Sequence, residues 1–177
     1  MAQLIEGVPL GSTTVLVDTN VIIEAVRTGT WNALTGAVHV ETVEECRDEA
    51  RRGDAIHPAY IPVSDADLKR LRVVHAVSTR DRAEYLVADP EATSMDPGER
   101  DLFAHVYHRA KAGDNVWVLC SSDKASIRAA IRIAISDQLK SLEAACKAVG
   151  ARPTLPLRSQ YQDLFLSKYR TEYLLTP

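Results

Sequence analysis

Two aspartates in this sequence stand just beyond short apolar runs of the kind that form buried β-strands. Asp18 directly follows the run at 15–17, and Asp123 comes three residues after the run that ends in Cys120. In a parallel α/β sheet, ligands bind beyond the carboxyl ends of the strands. If both strands are central, the two carboxylates project from the same sheet edge. Either aspartate alone would be interpreted as the cap of the following helix.

Glu99 is a third acid that favours a site over simple helix capping. The segment 96–99 predicts a helix start, with an Asp cap, Pro at the first helical position and Glu at the third. At about 100° per residue, Glu99 falls within the apolar face of this helix, whereas Asp101 points almost opposite. A core-facing carboxylate needs a partner, such as a metal ion. A capping box between Asp96 and Glu99 is the structural alternative, and the two interpretations are compatible.

A fourth candidate lies in the segment Glu41-Thr42-Val43-Glu44-Glu45. Thr42 and Glu45 have the spacing of a capping box, so a purely structural role is also open here. The helical wheel does not settle whether Glu44 or Glu45 faces the sheet.

Such an acid cluster suits a hard divalent cation. Several carboxylates within a few ångströms repel one another and partly protonate unless a cation holds them. Carboxylate and water ligands favour Mg²⁺ or Mn²⁺ over zinc. The three cysteines are widely spaced and are interpreted as small buried residues, and His105 and His108 as surface histidines. One or two bound ions can activate water for attack on a phosphodiester.

The elements that must position these acids alternate between strands and helices. Strands are predicted at 13–18, 37–40, 72–77, 116–120 and, at an edge, 133–136. Helices are predicted at about 20–26, 42–52, 65–71, 79–89, 97–112, 124–131 and 139–149, with a loop at 54–62. This order, without hairpin signals, predicts an α/β fold of three layers, with a mainly parallel central sheet of four or five strands.

Length and charge bound the remaining possibilities. The 177 residues suit one domain, predicted at 1–150, with a C-terminal extension at 151–177. Without an apolar run long enough for a membrane span, and without a secretory signal, a cytoplasmic protein is expected. The net charge is −3, but the segment from Gly150 onward has four bases against two acids. The acidic body is therefore compatible with a phosphate-bearing partner if a metal neutralises its site.

The extension contains aromatic residues at every fourth position, which predicts a stripe along one helix. Packing on the body or on a second copy is the favoured interpretation. The alternatives are stacking of single-stranded nucleic acid with the help of nearby bases, or contact with an antitoxin-like protein. The aromatic residues are Tyr161, Phe165, Tyr169 and Tyr173, and the bases are Arg158, Lys168 and Arg170.

Four motifs together resemble the PIN-domain family, which includes VapC-type toxins and related small nucleases. They are the first strand and its end at 15–20, the Thr-x-x-Glu helix at 42–46, the Gly-Glu helix start at 97–99 and the Ser-x-Asp turn at 119–123. The resemblance spans roughly 14–150.

This resemblance implies an Mg²⁺- or Mn²⁺-dependent endoribonuclease acting on single-stranded or structured RNA, and a toxin-like role is one form that this activity takes in the family. Its acidic quartet would fall on Asp18, Glu45, Glu99 and Asp123, with Asp18 and Asp123 as principal ligands. Many members carry the third acid further into its helix, so Asp101 remains an alternative to Glu99. The aromatic stripe of the extension makes an antitoxin-like protein partner or a homodimer a further expectation. The competing hypothesis is a PIN-like interaction module with weak or no catalysis.

Overall fold

The computed structural model of this chain describes residues 3–53 and 59–175, so positions 54–58 of the predicted loop lie outside the described residues. Within those ranges, five parallel strands form one sheet in the order β3-β2-β1-β4-β5. The strands are Thr14–Val17 (β1), His39–Val43 (β2), Val73–His75 (β3), Trp117–Cys120 (β4) and Leu139–Lys140 (β5). The predicted α/β class with a parallel central sheet is confirmed.

Helices flank both faces of this sheet. They are Thr19–Arg27 (α1), Trp31–Ala37 (α2), Glu44–Arg52 (α3), Asp65–Leu68 (α4), Thr79–Ala88 (α5), Pro97–Lys111 (α6), Lys124–Arg132 (α7), Leu142–Val149 (α8) and Asp163–Leu175 (α9). Alternate side chains of β1 enter opposite cores: Val15 and Val17 pack in one apolar cluster, and Leu16 packs in the other. A central strand buried on both faces explains why β1 is an uninterrupted apolar run.

The strand order changes direction between β1 and β4. From β1 the chain builds β2 and β3 on one side, then crosses to place β4 and β5 on the other. Val17 and Cys120 are register partners at the ends of β1 and β4. Asp18 and Ser121 therefore leave the sheet side by side, and the Asp18 N–H donates to the Cys120 carbonyl at 3.4 Å. Such a switch point is where ligands bind in open α/β sheets.

The C-terminal extension is helical and lies against the domain. Its first part follows α1: Thr154 N–H donates to the Thr28 carbonyl at 2.9 Å, and Arg27 donates to the Pro156 carbonyl at 2.7 Å. Helix α9 then packs against α7 and α8. No helix in the described part of the chain is long and apolar enough to cross a membrane.

One predicted strand, at 133–136, is wrong. Ile133 still donates to the Ala129 carbonyl at the end of α7, and Ala134 has a φ of +58°, so the chain turns there. The edge strand instead comes at 139–140, where a helix start was predicted. That helix begins only after Ser141, whose hydroxyl accepts the Ala144 N–H at 2.9 Å.

Candidate active site

Asp18 sits at the end of β1 and caps α1. One of its carboxylate oxygens accepts the Val21 N–H at 2.7 Å, and the other is hydrogen-bonded to the Ser121 hydroxyl. The backbone of Ser122 also donates to it. The residue is only 5% exposed. Burial raises the pKa of Asp18 to about 6, because desolvation outweighs these hydrogen bonds and the charge of Asp123 adds to it.

Glu99 lies in the first turn of α6 and points into the same site. It is 8% exposed, and its carboxyl group is hydrogen-bonded to the Ser126 hydroxyl. Burial raises the pKa of Glu99 to about 10, and the charges of Asp123 and Asp18 reinforce the shift. At neutral pH this carboxyl group therefore holds a proton.

Asp123 is the exposed member of the group. It caps α7 by accepting the Ser126 N–H at 2.7 Å, and its side chain lies close enough to share a hydrogen bond with Glu99. The capping role predicted for Asp18 and Asp123 and their place beside a third acid therefore occur together. The structure brings Asp18, Glu99 and Asp123 to one edge of the sheet.

Two serines connect the buried carboxyl groups. The hydroxyls of Ser121 and Ser126 lie 2.6 Å apart, so a chain of three hydrogen bonds runs from Asp18 to Glu99. The Ser121 hydroxyl donates to Asp18, and the Ser126 hydroxyl donates to Glu99. Asp123 is the hydrogen-bond partner of the Glu99 proton. Ser126 was not singled out from the sequence; its position three residues after a capping Asp was the available signal.

The other acids considered from the sequence lie elsewhere. Asp101 forms a two-point ion pair with Arg82, both contacts at 2.6 Å. Glu45 is half-buried on α3, accepts from Arg52 at 3.1 Å and lies near Arg82. Glu44 is exposed. These three residues are not joined to the hydrogen-bonded group of Asp18, Glu99 and Asp123.

Glu49 is the acid from α3 that approaches the site. Its carboxylate accepts the Thr19 hydroxyl at 2.6 Å and the Gly98 N–H at 3.0 Å. It therefore joins the residue after Asp18 to the residue before Glu99. A Cβ on Gly98 would lie 2.4 Å from a Glu49 oxygen, so glycine is needed for this approach. The sequence indicated this role only weakly, because Glu49 lies one helical turn after Glu45 on the same face of α3.

Tyr161 brings the extension to the site. It is buried, its hydroxyl donates to the Asn20 carbonyl at 3.3 Å, and it also contacts the Ser122 side chain. Burial, and then the charge of Asp18, raise the pKa of Tyr161 to about 12. Tyr161 precedes α9 and packs in the cluster with Val15, so its predicted place on the aromatic helix stripe is wrong.

The donor set fits a hard divalent cation, although it is not arranged as a finished metal centre. Among the described residues, no group of three or more His, Cys, Asp or Glu side chains has the geometry to hold an ion. Instead, the hydroxyls of Ser121 and Ser126 join Asp18 to Glu99. All the donors are oxygens, which suits Mg²⁺ or Mn²⁺. A bound cation would displace the proton of Glu99 and replace some of the hydrogen bonds that Ser121 and Ser126 make.

Comparison with known proteins adds no further constraint on this site. No family model matches the chain, and neither a curated protein nor a solved structure matches it.

Proposed function

We propose that this protein is a metal-dependent endoribonuclease of the PIN type, which hydrolyses RNA phosphodiester bonds at Asp18, Glu99 and Asp123. One observation carries the proposal: two buried carboxyl groups lie beside a third acid, at the switch point of a parallel sheet, and neither forms an ion pair with a described residue. Burying such groups without a cation costs stability, so the arrangement favours a cation from outside.

Asp18, Glu99 and Asp123 have different roles in the proposed reaction. Asp18 accepts hydrogen bonds from the start of α1 and from the residues that follow β4. These bonds fix the orientation of its carboxylate group. Glu99 keeps a proton until a cation replaces it. Asp123 stays open to solvent, where a phosphate group can approach. When bound, Mg²⁺ or Mn²⁺ supplies charge stabilisation of the phosphoryl oxygens and a water of lowered pKa.

We assign the fourth acidic position to Glu49, although the resemblance to the family gives it to Glu45. Glu49 bonds to both Thr19 and Gly98, the neighbours of two proposed ligands, whereas Glu45 is bonded to Arg52. In this role Glu49 positions the start of α1 against the start of α6. RNA as the substrate class rests on the resemblance of the segments 15–20, 97–99 and 119–123.

A cleavage assay on mixed single-stranded and structured RNA, with Mn²⁺ or Mg²⁺, tests the proposal. Asp18→Asn and Asp123→Asn are each expected to lower the rate at least about 100-fold, since each removes a charge that holds the ion. Glu44→Gln is the matched control, because it makes the same kind of change at an exposed position on α3, and its rate should equal that of wild type. Absence of cleavage with either ion, or cleavage that survives both Asp substitutions, would refute the nuclease.

A second candidate function is a PIN-like interaction module. It is favoured by the lack of a finished metal centre in the described ranges and by exposed leucines on α9, with Leu164 79% and Leu175 77% exposed. An antitoxin-like helix or a second copy of this chain is the partner that such an apolar edge fits. Stable binding of a helical partner, together with no cleavage under any metal condition, would favour this function.

A further inference from the structure

Two cations of α7 lie over two tyrosines of α9. The Lys124 ammonium is 4.2 Å from the centre of the Tyr169 ring, and the Arg128 guanidinium is 4.4 Å from the centre of the Tyr173 ring. Both distances are those of cation–π pairs. We call these four residues the basic–aromatic ladder.

The ladder begins at the acidic site. Lys124 directly follows Asp123, the cap of α7, and Arg128 comes one turn later, about 6 Å along the helix. The ring of Phe165 continues the aromatic side, 4.6 Å from Tyr169, which itself lies 5.9 Å from Tyr173. A continuous row of rings and cations therefore leads away from the proposed catalytic centre.

The far end of the ladder opens into a cleft. Arg128 and Tyr173 line this space of about 590 Å³ together with Ile131 and Leu174, which make part of its wall apolar. Arg132 and the acids Glu91 and Glu172 also line it. A chain of nucleotides that follows the ladder would therefore meet a concave surface rather than a flat one.

Charge at the ladder favours a polyanion. Lys124, Arg128 and Lys168 are exposed and lie over aromatic rings, whereas Arg80 on α5 is paired with Glu84. Glu172 is the acidic neighbour that works against an anion here. Exposed cations joined to aromatic rings are the usual components of surfaces that hold single-stranded nucleic acid.

We propose that single-stranded RNA follows the basic–aromatic ladder away from the acidic site. On binding, Lys124 and Arg128 move to phosphate oxygens, and bases stack on the ring faces of Tyr169 and Tyr173 that the cations cover in the free protein. The direction of the strand rests on the proposed nuclease function, but the binding step needs no metal and is testable without cleavage.

The test measures the affinity of the full chain for a fluorescent 12-nucleotide oligouridine and for an RNA duplex, in EDTA, by anisotropy. The double substitution Lys124→Gln with Arg128→Gln should weaken single-strand binding at least about 10-fold. It should also lower the slope of log affinity against log salt by about 1.4, or about 0.7 for each lost phosphate contact. Lys111→Gln is the matched control, because Lys111 lies over Tyr107 at 5.8 Å on α6.

Ring substitutions separate stacking from simple packing. Tyr173→Phe keeps the ring and should bind within about 2-fold of wild type, whereas Tyr173→Leu should lose about 5- to 100-fold. The proposal is overturned if Tyr173→Leu lowers the melting temperature but leaves RNA affinity unchanged, because the ladder then only fastens α9 to α7. It is also overturned if duplex binds as tightly as single strand, or if a protein ligand rather than RNA depends on these residues.

The outcome is independent of the nuclease proposal. RNA binding that depends on the ladder, without metal-dependent cleavage, would support the RNA-binding surface and refute the nuclease. Cleavage that depends on Asp18 but not on Lys124 or Arg128 would support the nuclease and refute the RNA-binding surface.

Discussion

Two kinds of buried carboxyl group coexist in this molecule. Outside the site, each of the following buried acids has a cationic or histidine partner: Glu24 with Arg27 at 2.7 Å, Glu41 with His75 at 2.7 Å, Asp89 with Arg132 at 2.6 Å, and Asp101 with Arg82 at 2.6 Å. Asp18 and Glu99 are buried to a similar degree but are joined to serines. The first group is neutralised inside the protein, and the second is not.

The pKa values of Glu24, Asp18 and Glu99 follow this division. For Glu24, burial favours the neutral acid, but the hydrogen bonds and charges of Arg27 and Arg158 outweigh it and lower the pKa. For Asp18 and Glu99 burial prevails, and the pKa of each is raised. Glu99 and Asp101 lie only two residues apart on α6, yet one belongs to each group. Under the proposed function, Asp18 and Glu99 are the acids that an external cation would neutralise.

Asp101→Asn gives the largest expected effect on stability. It should lower the free energy of unfolding by about 3 kcal/mol, because it removes the charge that neutralises Arg82 and breaks a two-point hydrogen bond. Urea denaturation at pH 7 measures the change. A loss below about 0.5 kcal/mol would mean that the paired acids do not differ energetically from the site acids.

Glu99→Gln should instead raise the free energy of unfolding. The folded pKa of about 10 lies above the ordinary value of 4.5, so folding of the metal-free protein loses stability as pH rises from 4.5 towards 10. Glutamine cannot ionise, and the variant should be more stable than wild type at pH 7 by about 2 kcal/mol. The same urea experiment, in EDTA, checks the sign. Destabilisation by Glu99→Gln would contradict the assignment of Glu99 as an uncompensated acid.

A smaller effect is expected at His105, which is half-buried rather than on the surface as the sequence suggested. It stacks on His75 at 4.0 Å, with Glu41 and Arg109 beside it. Burial, and then the charges of His75 and Arg109, lower the pKa of His105 to about 4, against the opposing charges of Glu41 and Asp81. Its stabilising neutral form is therefore fully favoured above about pH 6.5 and is progressively disfavoured as pH falls towards 4.

Replacing His105 should reduce the loss of folding stability at acidic pH. Between pH 6.5 and 5, wild type should lose about 1 kcal/mol more than His105→Gln. Thermal melts across this range measure the difference. His108→Gln, on the same helix, is the control for the loss of a histidine side chain. Parallel curves for wild type and His105→Gln would show that this cluster does not titrate as described.

The central strands and the three main acids could be predicted because local signals determine them. The apolar runs before Asp18 and Ser121 specify buried strands, and the register of β1 and β4 then brings their ends together. The helical wheel placed Glu99 inward correctly, but its outward placement of Asp101 is wrong, because Asp101 is 4% exposed and is covered by its ion pair with Arg82 of α5.

Long-range contacts explain what could not be predicted. Helix α3 begins immediately at the end of β2, without a loop, so the sequence does not specify which of its acids turns towards α1 and α6. Glu49 reaches the site through Thr19 and Gly98, which are 30 and 49 residues away in sequence. The edge strand at 139–140 is only two residues long, too short for a period of alternation to be visible.

Calorimetric titration of the metal-free protein with Mn²⁺ at pH 7.5 tests whether Asp18, Glu99 and Asp123 bind a cation. We expect saturable binding that releases protons, because the ion would displace the proton held by Glu99. Asp18→Asn should weaken this binding at least about 10-fold, whereas Glu44→Gln should leave it unchanged. Absence of saturable binding to wild type, or equal binding by wild type and Asp18→Asn, would contradict a cation site at these acids.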